Sequence, residues 1–99
     1  MEKEEKQRLA AQLYRVLAAV TDAGQMERLL DDLCTFTEVE QMAQRIECAK
    51  LLAEGYTYNR IISMTEISSA TLSRVSRCLQ HGSGGYSELL PPLLSIAAT

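Results

Sequence analysis

The segment Tyr58–Leu79, YNRIISMTEISSATLSRVSRCL, contains two short apolar patterns that are separated by Thr65-Glu66. In both patterns the apolar residues recur at three-to-four-residue spacing, which predicts helices at about 57–64 and about 68–80. A turn of three or four residues between two such helices is the spacing of a helix-turn-helix. The stretch at about 57–80 therefore predicts this motif.

The apolar side chains of this segment stand where a helix-turn-helix needs them. Ile61 and Ile62 are expected to bury the first helix, and Ile67 to point inward from the turn. Leu72 and Val75 lie three residues apart and are expected to pack the second helix against the first. The opposite side of the second helix is then left for a partner.

Small residues occupy that opposite side of the second helix. Ser68 is a good N-cap, and Ser69, Ala70 and Ser73 fall on the outward face, with Thr71 beside them. Small side chains let a helix backbone approach base edges in a major groove about 12 Å wide. Hydroxyl groups can bond to bases or phosphates, and the Ala70 methyl group can touch a thymine methyl group.

The charges of the segment are compatible with phosphate contacts. Arg74 and Arg77 follow the small residues, and Arg60 lies with Tyr58 on the first helix. The candidates for contact with a duplex are therefore Tyr58, Arg60, Arg74 and Arg77, together with Ser69, Ala70, Thr71 and Ser73. The alternative is that the arginines only solvate a helical surface.

The net charge of −3 is unevenly distributed along the chain. Residues 1–40 hold five Lys/Arg and nine Asp/Glu, whereas residues 41–99 hold five and four. Glu66 is the one acidic residue within 57–80, at a turn position where glycine is common. A left-handed turn there would cost about 1 kcal/mol without glycine. Either the turn has another shape, or the motif is not tuned for tight binding by itself.

The rest of the chain shows helical periodicity throughout, which predicts an all-α fold in one domain, residues 1–99. We expect helices at about 3–20 and 25–34, a helix opened by a Thr37–Glu40 capping box and ended by Gly55, and a short helix at about 86–90 ended by Pro91-Pro92. The apolar tail, 91–99, is expected to fray or to dock on a partner subunit. The apolar stripes of the first two helices favour an intertwined homodimer; a compact monomeric bundle is the alternative.

Several classes of protein are disfavoured by the composition. No apolar run reaches the roughly 20 residues that span a bilayer, and the first residues lack the apolar core of a signal peptide, so we expect a cytoplasmic protein. Cys34, Cys48, Cys78 and His81 form no zinc pattern, and we expect reduced, core-filling thiols and no metal. Without an acid–base pair or a basic cleft for a thiol, an enzyme is not expected.

The sequence resembles the Trp repressor superfamily, and within it the branch of bacterial relatives called the YerC/YecD type. The resemblance runs from about Leu29 to Leu90 and is carried by LCTFTEVEQMAQRIECAKLL, SSATLSRV and RCLQHG. It implies an intertwined, all-helical homodimer that presents a helix-turn-helix to successive major grooves of double-stranded DNA. It also implies a function in transcriptional regulation, with Ser69, Ala70 and Ser73 at the base-contacting positions.

The resemblance also points to an effector site. Two arginines enclose the indole ring of the corepressor in the Trp repressor, and they match Arg45 and Arg74. The family's repressor has glycine after the second arginine, where this chain has Val75, and overpacking of that kind costs about 1–3 kcal/mol. We therefore expect no tryptophan corepressor and no other cofactor, and the identity of any effector stays open. The two arginines could instead tie the long helix to the second helix of the motif through an acid such as Glu47.

Two functions follow from the sequence. The first is a sequence-specific, repressor-like DNA-binding regulator. The second is a helical protein–protein interaction module without DNA binding, which the acidic first 40 residues and the apolar tail suit better. The operator, the regulated genes and the direction of regulation are not encoded in any visible motif.

Overall fold

The computed structural model describes residues 1–98 and is helical along nearly all of them. The helices are α1 (Lys3–Ala19), α2 (Ala23–Leu33), α3 (Phe36–Ala53), α4 (Tyr58–Met64), α5 (Ser69–His81) and α6 (Leu90–Ala97), with a π-helical turn at Gly85–Leu89 before α6. No strand occurs within the described part of the chain. The predicted all-α class is confirmed.

The chain forms two compact units, residues 1–39 and residues from Glu40 onward. The buried core belongs entirely to the second unit and consists of Cys48, Ala49, Leu51, Ile61, Ile67, Leu72 and Val75. In the first unit, all of which the structure describes, every residue is exposed or half-buried. The prediction of a single domain stays a prediction.

The start of α3 differs from the predicted one by two residues. Thr35, not Thr37, forms the capping box: the Glu38 amide donates to Thr35 Oγ1 at 3.1 Å, and the Thr35 amide donates to Glu38 Oε1 at 2.7 Å. The hydrogen bond from the Thr35 amide, and secondly the Thr35 side-chain hydroxyl group, lower the pKa of the Glu38 carboxyl group. Both threonines precede a glutamate by three residues, so the spacing alone could not choose between them.

The end of α3 follows the prediction. Gly55 has a φ of 94°, and its amide donates to the Leu52 carbonyl at 3.0 Å while the Tyr56 amide donates to the Leu51 carbonyl at 3.1 Å. This pair of bonds closes the helix with a residue in the left-handed region, where glycine carries no Cβ penalty. The chain is thereby free to begin α4 three residues later.

The prolines near the end of the chain start a helix instead of ending one. Pro91 and Pro92 occupy the first turn of α6, which continues to Ala97. The prediction that they terminate a helix was wrong, because the first amides of a helix have no intrahelical acceptor and proline loses nothing there. The tail predicted to fray, 91–99, is thus helical up to Ala97, and Thr99 lies outside the described residues. Docking of the tail on a partner subunit stays a prediction.

The three cysteines are free thiols, of which Cys48 is buried in the core and Cys34 and Cys78 are half-buried. Burial raises the pKa of the Cys48 thiol. The core-filling role is therefore confirmed for Cys48. Among residues 1–98, no helix combines the length and the apolar character required to cross a membrane.

Candidate nucleic-acid interface

The segment predicted to form a helix-turn-helix, 57–80, contains α4 and α5, which pack against each other. Ile61 and Ile67 are buried as expected, and so are Leu72 and Val75 on α5. Ile62 is not: 42% of its surface is exposed. A seven-residue helix buries one narrow face, and Ile62 is rotated about 100° away from Ile61.

The outward face of α5 is exposed in the structure. Ser69, Ala70 and Ser73 all lie on the surface, followed by Arg74 and Arg77. At about 100° per residue, these five positions fall within an arc of about 140° on the helix. Along the helix axis, the N-terminal part of this exposed face carries only small side chains, and the C-terminal part carries the guanidinium groups of Arg74 and Arg77.

Thr71 differs from its neighbours, because it is half-buried and takes part in the helix cap. Ser68 Oγ accepts a hydrogen bond from the Thr71 amide at 3.2 Å and donates one to Thr71 Oγ1 at 3.0 Å. Part of the hydrogen-bonding capacity of the Thr71 hydroxyl group is therefore used inside the protein. Ser68 is confirmed as the N-cap.

Tyr58 and Arg60 are exposed in the first turn of α4. Thr57 caps this helix, with its Oγ1 accepting from the Arg60 amide at 3.1 Å. The Ser63 hydroxyl group donates to the Arg60 carbonyl at 2.8 Å. The backbone that carries Arg60 is thus held from both sides, and within residues 1–98 its guanidinium group forms no ion pair.

The turn between α4 and α5 depends on Thr65, which sequence reasoning missed. Thr65 Oγ1 donates to the Ile61 carbonyl at 2.7 Å and accepts from the Ile67 amide at 3.2 Å. No residue other than glycine has a positive φ within residues 1–98, so the turn around Glu66 has no left-handed residue. Of the two alternatives for Glu66, the structure supports a turn of another shape. The role of Thr65 could have been predicted from its position two residues before Ile67, since threonine hydroxyl groups often bond to the backbone two residues further on and close a turn.

The residues of the candidate effector site lie in different environments. Val75 is fully buried in the core, Arg74 is exposed on α5, and Arg45 is half-buried on α3. Glu47 pairs with Lys50 on its own helix, with Nζ and Oε1 3.8 Å apart. Across the described part of the chain, no ion pair ties Arg45 or Arg74 to Glu47. The suggested tie between α3 and α5 is therefore not formed.

Two open grooves of about 360 Å³ each lie elsewhere in the second unit. Tyr86 and Leu90 border both of them. Arg45, Arg74 and Val75 line neither groove. The candidate effector residues are thus not associated with either of these spaces.

Comparisons of the sequence and of the structure with known proteins agree with one another. The sequence model of the family described as Trp repressor protein matches residues 8–94. The uncharacterised protein YerC of Bacillus subtilis (strain 168) is 44% identical over 75 residues, which are 76% of this chain and 72% of that protein. A crystal structure from Staphylococcus aureus, described as a candidate Trp repressor, superposes with a TM-score of 0.83 at 31% identity and covers 95% of this chain and 96% of its own. A TrpR-like protein from Eubacterium eligens ATCC 27750 superposes with a TM-score of 0.83 at 34% identity, covering 93% and 95%.

Proposed function

Because the chain belongs to the Trp repressor family, a regulatory and non-enzymatic family, we propose that it is a sequence-specific DNA-binding transcriptional regulator that acts as a homodimer. In this proposal α5 enters the major groove and α4 crosses the sugar–phosphate backbone. Each protomer of the dimer contacts one half of a palindromic site, with the half-sites about 34 Å apart.

The observation that carries the proposal is the slim, exposed N-terminal half of α5. Ser69, Ala70 and Ser73 lie on the surface, while Leu72 and Val75 on the same helix are fully buried. These small, exposed side chains bury little apolar surface inside the protein, so core packing does not explain their presence on this face. Close approach of α5 to base edges explains these small residues, because a hydrogen bond in the groove requires donor and acceptor atoms within about 3 Å of each other.

Arginines supply the contacts to phosphate. Arg60 on α4 and the pair Arg74 and Arg77 on α5 are all exposed. The unpaired amides at the start of α5 add a partial positive charge directed at phosphate. Phosphate contacts of this kind position a protein on the duplex, and base contacts provide its sequence specificity.

A homodimer is supported by the exposed apolar surface of the first unit. Leu9, Leu13 and Val16 form one stripe on α1, each more than a third exposed in the single chain. A helical unit of about 40 residues rarely folds without additional burial. A second copy of the chain, related by a two-fold axis, would cover this stripe with the same stripe or its neighbours.

We expect the substitution Leu13→Asp to raise the dimer dissociation constant by about a hundredfold or more, because an unpaired charge in an interface costs roughly 3–5 kcal/mol. Sedimentation velocity over a range of protein concentrations measures the change in mass from twice 11.0 kDa, for the dimer, toward 11.0 kDa, for a single chain. Tyr14→Asp is the matched control, since Tyr14 lies off the stripe and is 66% exposed. Equal effects of the two substitutions would argue against this interface.

No tryptophan corepressor is needed in this proposal. Val75 is fully buried among core side chains, so it completes the packing of α5 without a ligand. We infer that α5 is held in its binding orientation by protein packing alone. Duplex affinity is therefore expected to be the same with and without added tryptophan.

Selection of duplex fragments on the purified protein, with and without tryptophan, tests the function. We expect enrichment of a palindromic sequence. Arg77→Ala should weaken binding to all duplexes alike, whereas Ser73→Ala should change which sequence is enriched, because the first contacts phosphate and the second contacts a base. Failure of the wild-type protein to enrich any duplex would contradict the proposal.

The second candidate is a helical interaction module that binds another protein. Phe36, 79% exposed at the start of α3, and Leu33, 52% exposed at the end of α2, favour it. Competition distinguishes the two candidates: a DNA-binding surface loses its ligand when unrelated duplex is added in excess, and a protein-binding surface does not.

A further inference from the structure

The turn between α4 and α5 presents one carboxylate next to the small, exposed face of α5. Glu66 is exposed and lies three residues before Ser69. Within residues 1–98, its carboxylate pairs with no cation and takes part in no hydrogen bond. An exposed glutamate with no partner contributes little to the stability of the fold.

The backbone around Glu66 is fixed on both sides. Thr65 Oγ1 bonds to the Ile61 carbonyl on one side and to the Ile67 amide on the other, so the hydroxyl group spans Glu66. Ile67 is buried and anchors the following residue. Glu66 therefore projects from a defined turn and not from a mobile loop.

The charge of Glu66 is opposite to that of the charged residues around it in sequence. Arg60, Arg74 and Arg77 are the other fully charged residues in 57–80. A carboxylate within a Debye length of the duplex, about 10 Å at 0.1 M salt, repels the phosphates. In the major groove, however, a carboxylate can accept a hydrogen bond from the amino group of cytosine.

We propose that Glu66 is a specificity-determining residue, which weakens binding to duplexes in general and is tolerated where a cytosine amino group lies opposite it. This inference rests on the proposed DNA-binding function. The repulsion acts on every duplex, whereas the compensating hydrogen bond forms only on the correct site. The carboxylate thus increases the ratio between specific and non-specific affinity.

The test compares wild type with Glu66→Gln, which removes the charge and keeps the size of the side chain. Affinities are measured by fluorescence anisotropy at 100 mM salt for a duplex selected on the wild type and for a duplex of random sequence. We expect the variant to bind the random duplex about fivefold more tightly. It should bind the selected duplex less than twofold more tightly, because there a weaker, neutral hydrogen bond from Gln replaces the charge-assisted one and offsets the relief of repulsion. The specificity ratio then falls by more than about twofold.

Glu40→Gln is the matched control, because Glu40 is also exposed, lies outside the helix-turn-helix and changes the net charge equally. It should leave the specificity ratio unchanged. If Glu66→Gln gave an unchanged ratio, or if Glu40→Gln lowered it as much, the role of Glu66 would be overturned while the DNA-binding function stood. Absence of duplex binding by the wild type would overturn both. Thermal unfolding followed by circular dichroism verifies that each variant is folded. Glu66→Ala is a second variant that removes the negative charge.

Discussion

Raising the salt concentration from 50 to 200 mM is expected to weaken duplex binding by about a thousandfold or more. Arg60, Arg74 and Arg77 are exposed on each protomer, which gives six candidate phosphate contacts in a dimer. Each contact releases counterions from the duplex, so the logarithm of the affinity falls with the logarithm of the salt concentration with a slope of about −0.9 per contact. Anisotropy titrations at four or five salt concentrations measure this slope.

The variant Arg77→Ala tests one of these phosphate contacts in the same salt titration. A dimer of this variant loses two contacts, so the slope should become less steep by about two. Arg8→Ala is the control, since Arg8 pairs with Glu5 on the exposed surface of α1, outside the helix-turn-helix. A slope near zero for the wild type, or the same slope for the wild type and Arg77→Ala, would contradict the proposed phosphate contacts.

The substitution Leu72→Ala is expected to destabilise the protein by about 2–5 kcal/mol. Leu72 is fully buried on α5 and belongs to the small core of the second unit. Its truncation removes apolar contacts and leaves a cavity that the surrounding helices fill only in part. The loss is a large part of the roughly 5–15 kcal/mol that stabilises a typical domain. Urea unfolding followed by circular dichroism measures it.

Ser73→Ala provides the matched comparison for Leu72→Ala, because Ser73 is the next residue on α5 and is exposed. It should change the free energy of unfolding by less than about 0.5 kcal/mol. Both variants have to be compared with the wild type at one protein concentration, since the proposed dimerisation would make stability depend on concentration. A loss below about 1 kcal/mol for Leu72→Ala would mean that α5 is not anchored through this residue.

The buried residues of α4, α5 and the turn between them could be predicted from sequence, with one error. Ile67, Leu72 and Val75 are buried as their spacing required. Ile62 was assigned to the same core because it is apolar and adjacent to Ile61. Its exposure reflects the shortness of α4, which cannot present two adjacent residues to one neighbour.

The candidate site was predictable only as a set of residue types. The exposure of Ser69, Ala70 and Ser73 agrees with the prediction, because burial of the opposite face of α5 leaves these residues on the surface. The sharing of the Thr71 hydroxyl group with Ser68 was not predictable, because a capping residue has several possible donors and acceptors nearby. Roles in DNA binding stay predictions for all of these residues.

Hydrophobic periodicity by itself determined the all-α class, the approximate positions of the main helices and the buried side of α5. These features depend on the 3.6-residue repeat of a helix, which acts over a few neighbouring residues. Only the tertiary structure decided that Thr35 opens α3, that Pro91 and Pro92 begin α6, and that the Thr65 hydroxyl group closes the turn around Glu66. In each case the local sequence allowed more than one hydrogen-bonding arrangement, and the choice was made by where the adjoining helices had to begin and end.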